Sequence, residues 1–218
     1  MDPGSDWVVS GCKGALDFDG SNDVVKCTVN NLLQKTTPFA LSAWVYAKST
    51  NVQMNIFSTW KYNQQSGWQF FVDVSNTPSV AFLSLNATYY QANSKILLSI
   101  NKWTHILCTS FGANFSNVEF FINGVNGGKT TPITNDPGAL DSKSLSIGAR
   151  EANVSYNDTF LNGQIDDIRI YSRALSESEI RLLASERGIG LKPERLRNRY
   201  PAPTPSRNRS SRFLGFPA

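Results

Sequence analysis

Histidine occurs once in this 218-residue chain, methionine twice, cysteine three times and glutamate six times. The lone histidine, His105, has no Ser or Cys nucleophile pattern near it, so a serine or cysteine hydrolase is not expected. Cys12, Cys27 and Cys108 lack C-x-x-C spacing and imply neither a disulfide framework nor a zinc site; buried free thiols are the expectation. No run of about 18 apolar residues exists, which excludes a membrane-spanning helix. The start, Met1 to Gly11, lacks a basic stretch followed by an apolar one, so no secretion signal is expected. Charged residues are 17% of the chain, below the roughly 25% of ordinary soluble domains. Ser, Thr, Asn and Gly take their place, the balance of a turn-rich all-β protein.

The charge that is present is unevenly placed. Residues 1–186 hold 13 basic against 16 acidic side chains, a net −3, while residues 187–218 hold 8 against 1, a net +7. The chain therefore divides into a domain over 1–186 and a basic, Pro-rich arm over 187–218, which lacks the apolar content for a core of its own.

Within the domain, apolar and polar residues alternate with period two over 39–46, 68–74, 80–85, 103–109 and 165–171, the mark of strands with one buried face. Turn dipeptides separate them, including Asp19-Gly20, Ser66-Gly67, Asn126-Gly127-Gly128 and Asp136-Pro137-Gly138. The strongest is Asn123-Gly124, which suits the two positive-φ positions of a type I′ hairpin. The spacing predicts about a dozen strands in a two-sheet antiparallel sandwich. Alternation assigns Trp44, Trp103 and Phe120 to its core. One helix is predicted over 176–184, where Ser176 and Glu179 form a capping box ahead of an apolar pattern.

Four segments in order carry a family resemblance. They are Ala15-Leu-Asp-Phe-Asp-Gly-Ser-Asn-Asp-Val-Val25, Phe39-Ala-Leu-Ser-Ala-Trp-Val45, Trp103–Thr109 with Val118–Gly124, and Phe160-Leu-Asn-Gly-Gln-Ile-Asp-Asp-Ile-Arg-Ile-Tyr171. Together they resemble the laminin-G-like (concanavalin A-like) jelly-roll family over about residues 8–185. The opening Met1–Gly11 is similar to small stand-alone members from phages and environmental bacteria, in which a further strand often precedes it. The resemblance implies a jelly-roll β-sandwich and a non-catalytic binding module. It also implies a Ca²⁺ ion held by Asp19 and Asp166, with Asp17, Asp23 and Asp167 as lesser candidates; carboxylate oxygens suit that ion.

Sugar recognition requires aromatic faces to stack on pyranose rings and short polar groups for the hydroxyls. Trp60, Tyr62 and Trp68, beside a loop holding Asn63, Gln64 and Gln65, are the candidates together with Tyr89, Tyr90 and Tyr156, with the core as the alternative and favoured place for any one of them. A glycosidase is not expected, because no Glu-x-Asp-x-x-Glu string occurs and alternation directs Asp166 and Asp167 to opposite faces. In the arm, Arg195, Arg197, Arg199, Arg207, Arg209 and Arg212 are interleaved with Pro and Ser, with Tyr200 as the lone stacking residue and Phe213 and Phe216 at an apolar tip. That pattern favours docking on neighbouring protein subunits, either copies of the chain or capsid or tail proteins, over nucleic acid. The expectation is a structural or adhesive module on the surface of a large assembly such as a phage virion, outside the cell after assembly. A free carbohydrate-binding module is the alternative, a glycoside hydrolase comes third, and a membrane is not an expected partner.

Overall fold

The computed structural model describes residues 7–10, 13–28, 38–60, 67–83, 89–111, 117–129, 144–151 and 157–188. The arm residues Arg195 to Phe216 and Tyr62 lie outside them. In chain order the first strands are β1 (Trp7–Ser10), β2 (Lys13–Asp19), β3 (Val25–Thr28), β4 (Phe39–Ala47) and β5 (Met54–Ser58). Next come β6 (Gly67–Val72), β7 (Pro78–Leu83), β8 (Tyr89–Asn93), β9 (Trp103–Ser110) and β10 (Val118–Ile122). The last are β11 (Val125–Lys129), β12 (Ser144–Ile147), β13 (Arg150–Glu151), β14 (Asn157–Asp158) and β15 (Asn162–Tyr171), followed by helix α1 (Glu177–Ser185).

A seven-stranded sheet in the order β1-β2-β15-β4-β9-β10-β11 packs on a six-stranded sheet in the order β3-β12-β5-β6-β7-β8. Every pairing between these strands is antiparallel. Both sheets point alternate residues inward, and the shared core joins Phe39, Leu41, Val45, Ile106 and Phe120 to Phe57, Trp68, Phe70 and Val72. The Cys108 thiol sits in this core, and burial pushes its pKa far up. Asn123 and Gly124 take the expected positive φ, 51° and 76°. Asn126-Gly127-Gly128, read as a turn, instead lies in β11, where a register shift against β10 absorbs it.

The capping box forms as expected: Ser176 Oγ accepts from the Glu179 amide and the Glu179 carboxylate accepts from the Ser176 amide. The helix lays Ile180 and Leu183 on Ala40, Leu107 and Phe121, which face out from the seven-stranded sheet. This covering layer corrects the assignment of Trp44 and Trp103. Both stand on the outer face rather than between the sheets: Trp44 is opposite His105, with its indole N–H donating to the Leu183 carbonyl, and Trp103 is opposite Tyr46. Because β4 is buried along nearly its whole length on both faces, apolarity alone cannot tell its two sides apart. Among the described residues, no helix is long and apolar enough to cross a membrane.

Candidate functional site

The outer face of the six-stranded sheet carries polar side chains, among them Asn55, Ser58, Gln69, Ser79 and Ser146, that are buried rather than solvated. Register places Lys26, Ser146, Ser58, Gln69, Ala81 and Gln91 in a single row across all six strands. With neighbouring strands about 4.8 Å apart, the row spans roughly 24 Å. A second row, Asn55, Phe71, Ser79 and Asn93, runs beside it. Gln69 is fully buried, yet neither its amide oxygen nor its nitrogen has a hydrogen-bond partner, and the Asn55 Oδ1 has none either. At the β8 end the face opens, and half-buried Gln91 donates to Asn93 Oδ1 at 2.7 Å. A buried amide without partners costs about 1–3 kcal/mol, a cost that Gln69 carries in full, whereas the Asn55 Nδ2 still donates to Thr159 Oγ1 at 3.4 Å.

Of the aromatic residues expected to hold a sugar, Trp68 is placed elsewhere, and Tyr62 lies outside the described residues. Trp68 faces the inter-sheet core with no exposed surface, so neither side of its ring can stack on a ligand. Trp60 is 9% exposed and carries the Arg150 guanidinium over its ring at 5.7 Å. The signal that was missed is the cross-strand register of Ser, Asn and Gln, each contributed singly by a different strand.

The two aspartates expected to share a Ca²⁺ do not meet. Asp19 pairs with Asn162, so Asp166 lies four residues further along β15, roughly 13 Å away. The Asp19 carboxylate accepts from the amides of Ser21 and Asn22 within its own turn, and Asp23 accepts from the Asp19 amide. No group of three or more His, Cys, Asp or Glu suited to a metal occurs among the described residues. The pair does not fit one ion.

Asp166 and Asp167 also depart from the expected alternation. A bulge interrupts β15 between Asp166 and Arg169, and Asp167 takes a φ of 52°. Both carboxylates consequently reach the turn that follows α1. Asp166 Oδ2 lies 3.4 Å from Arg187 Nε, Asp167 Oδ1 accepts from Arg169 at 3.1 Å, and Asp167 Oδ2 accepts from the Gly188 amide. The Asp166 Oδ1 accepts from the Asp167 amide, so all four oxygens are engaged. Burial, the largest influence, raises the Asp166 pKa. Arg187 also sits 4.0 Å above the Trp103 ring. The domain thus includes residues 187 and 188, which the charge pattern had assigned to the arm.

His105 Nε2 lies 2.9 Å from Ser42 Oγ, a contact made across 63 residues of sequence. The pair is wholly enclosed, and Nδ1 has no carboxylate or other partner, so the arrangement lacks both substrate access and an orienting acid. Its consequence is for stability. Burial first, and the nearby Arg169 charge second, lower the His105 pKa to about 4. In the unfolded chain the imidazole takes a proton below about 6.5, while the folded one stays neutral until about 4. Stability is therefore complete above pH 6.5 and falls as pH drops, by about 2 kcal/mol at pH 5. Urea denaturation at pH 7.5 and pH 5 should show that loss, and His105→Gln should flatten it, since the chain has no other histidine.

A laminin G-type family profile, described as the concanavalin A-like lectin/glucanases superfamily, matches residues 19–181. No curated protein matches the chain in sequence. Among solved structures, domain 4 of the extracellular arabinanase AbnA from Geobacillus stearothermophilus, in complex with arabinotriose, is 18% identical with a TM-score of 0.62. That match covers 82% of this chain and 80% of that domain. The botulinum neurotoxin serotype G binding domain is 20% identical with a TM-score of 0.61 over 83% of this chain; the chain spans only 45% of it. A heptameric pentraxin from Limulus polyphemus is 14% identical with a TM-score of 0.54, over 77% of this chain and 80% of the pentraxin.

Proposed function

We propose that this chain, which belongs to the concanavalin A-like lectin/glucanases superfamily, is a non-catalytic carbohydrate-binding module that reads sugar hydroxyls with the outer face of its six-stranded sheet. The part-exposed amides of Gln91 and Asn93 at the open end of that face carry the reading. Amides that donate and accept match hydroxyl groups that also donate and accept. The sugar lies over β8, where the face is half-exposed. The arabinotriose in AbnA domain 4 supports a sugar as the ligand of this fold.

The decisive variant is Gln91→Ala with Asn93→Ala, which should weaken binding of the best ligand on a glycan array at least about tenfold with little change in thermal midpoint. Gln69→Leu, which removes the enclosed unsatisfied amide while keeping the volume close, is expected to raise stability by about 1 kcal/mol and to leave binding unchanged. Full affinity in the Gln91→Ala, Asn93→Ala variant would overturn the reading.

A second reading concerns where the module is displayed. The net +7 of residues 187–218 against the net −3 of the rest supports anchoring through the basic arm on the surface of a larger assembly such as a phage virion. A chain ending at Gly188 should then lose its attachment to partner subunits while keeping its fold. Unchanged assembly without the arm would remove this reading and leave sugar binding untouched.

A further inference from the structure

The junction between domain and arm is built more firmly than a linker requires. Helix α1 lies on the outer face of the seven-stranded sheet, and the chain leaves it through Arg187 and Gly188. Arg187 is 9% exposed. Its guanidinium reaches Asp166 of β15 on one side and the Trp103 ring of β9 on the other. Strand β4 lies between those two strands, so a single side chain spans roughly 10 Å of sheet. One residue on, the Gly188 amide donates to the Asp167 carboxylate.

Local devices in β15 place these groups. The bulge after Asp166 and the positive φ of Asp167 bring two successive carboxylates to one turn, where regular alternation would separate them. Asp166 Oδ1 accepts from the Asp167 amide, which leaves Oδ2 for Arg187. Asp167 divides its oxygens between Arg169 and Gly188. A cation over an indole face is held more strongly when desolvated than at an open surface. Beside these groups the Trp44 indole N–H donates to the Leu183 carbonyl, a further tie between the end of α1 and the sheet.

The contacts close residues 168–186 into a loop whose two ends are fixed on the sheet. Tension arriving along the arm meets Arg187 and Gly188 first and passes to Asp166, Asp167 and Trp103. Their strands, β15 and β9, each have a paired neighbour on both sides. Helix α1 and the Tyr171 end of β15 lie behind that point and are not stretched. Without the ties, the same pull would unwind α1 and then open the β15–β4 ladder from Tyr171, one pair at a time. Contacts loaded together share a force, whereas contacts loaded in succession each meet all of it.

We propose that Asp166, Asp167, Arg187, Gly188 and Trp103 form a clasp that takes tension from the arm into the middle of the seven-stranded sheet. Its role rests on both readings above, sugar binding by the sheet and anchoring by the arm. A module so held is pulled from opposite sides, because the clasp is on the outer face of one sheet and Gln91 and Asn93 are on the outer face of the other. Tension then crosses the larger of the two apolar cores, the one shared by the sheets, and bypasses the short helix and the smaller core beneath it.

The test stretches the full chain between handles at its two ends in an optical trap and compares it with Asp166→Asn, Asp167→Asn. Asparagine at 166 keeps an oxygen to accept the residue 167 amide, and asparagine at 167 tolerates the positive φ, so the thermal midpoint should change little. The double variant should add an early low-force extension of at most roughly 6 nm, the straightened length of residues 172–187, which the parent lacks. Arg187→Gln, which removes the same ties from the other side, should add the same extension. Trypsin gives a readout without force, because cleavage after Arg187 requires its side chain to leave Trp103. The double variant should be cut there at least about tenfold faster than the parent. Force traces that match the parent in both variants, an early extension of that length in the parent, or equal cleavage after Arg187 would overturn the proposal. Both measurements use the chain alone, so a failed anchoring reading shows in the attachment of the chain ending at Gly188, and a failed clasp shows here.

Discussion

Replacing Trp68 by alanine is expected to lower folding stability by about 4 kcal/mol, a loss that appears with or without sugar. The ring is fully enclosed, stands edge-on to Phe57 at 5.7 Å between centroids, and belongs to the core formed by both sheets. Its strand, β6, lies inside the six-stranded sheet between β5 and β7, so its neighbours are fixed on either side and collapse poorly into the void. The lost transfer energy then adds to the cost of the cavity. Chemical denaturation followed by tryptophan fluorescence and near-ultraviolet circular dichroism would measure it. An unchanged midpoint would mean that the ring is not part of the core. The sugar reading does not depend on this variant, because its determinants, Gln91 and Asn93, are on the outer face of the same sheet.

Gly163→Ala should be of similar size, about 4 kcal/mol or more. Gly163 lies in β15 opposite Phe18 of β2 and Ala47 of β4, with a φ of 153°. A Cβ there would overlap the Tyr46 carbonyl oxygen and press on the Ala47 Cα. The obstacle is the backbone of a central strand, which cannot rotate aside as a flexible side chain would. The variant should express poorly or show a midpoint far below that of the parent. The control is Gln164→Ala one residue on, half-buried at the same register and without a positive φ.

Features that depend on local chemistry were readable before any coordinates. Ser176 and Glu179 are three residues apart and form the predicted cap, and Asn123-Gly124 makes the predicted hairpin. Strands β4, β6, β9 and β15 stand within a few residues of their expected positions. Features that depend on register were not readable. The polar row takes one side chain from each strand, and its members are separated by up to 120 residues, as Lys26 and Ser146 show through the pairing of β3 with β12. Trp44 and Trp103 were turned the wrong way because helix α1 makes the outer face apolar as well. The bulge at Asp167 broke an alternation that composition had no means of revising. Ser42 came to His105 by the pairing of β4 with β9, which no motif announces.

Strand β15 is the only described link between β2, near the start of the chain, and β4 in the seven-stranded sheet. During synthesis that sheet consequently exists in two pieces, β1-β2 on one side and β4-β9-β10-β11 on the other, until Tyr171 has left the ribosome. Closing a sheet with its last strand joins segments far apart in sequence, a slow class of folding event. Until then, facing edges of β2 and β4 present unpaired amides and carbonyls that can recruit other chains. A nascent chain stalled before β15 should aggregate, whereas one released after Gly188 already contains every described element.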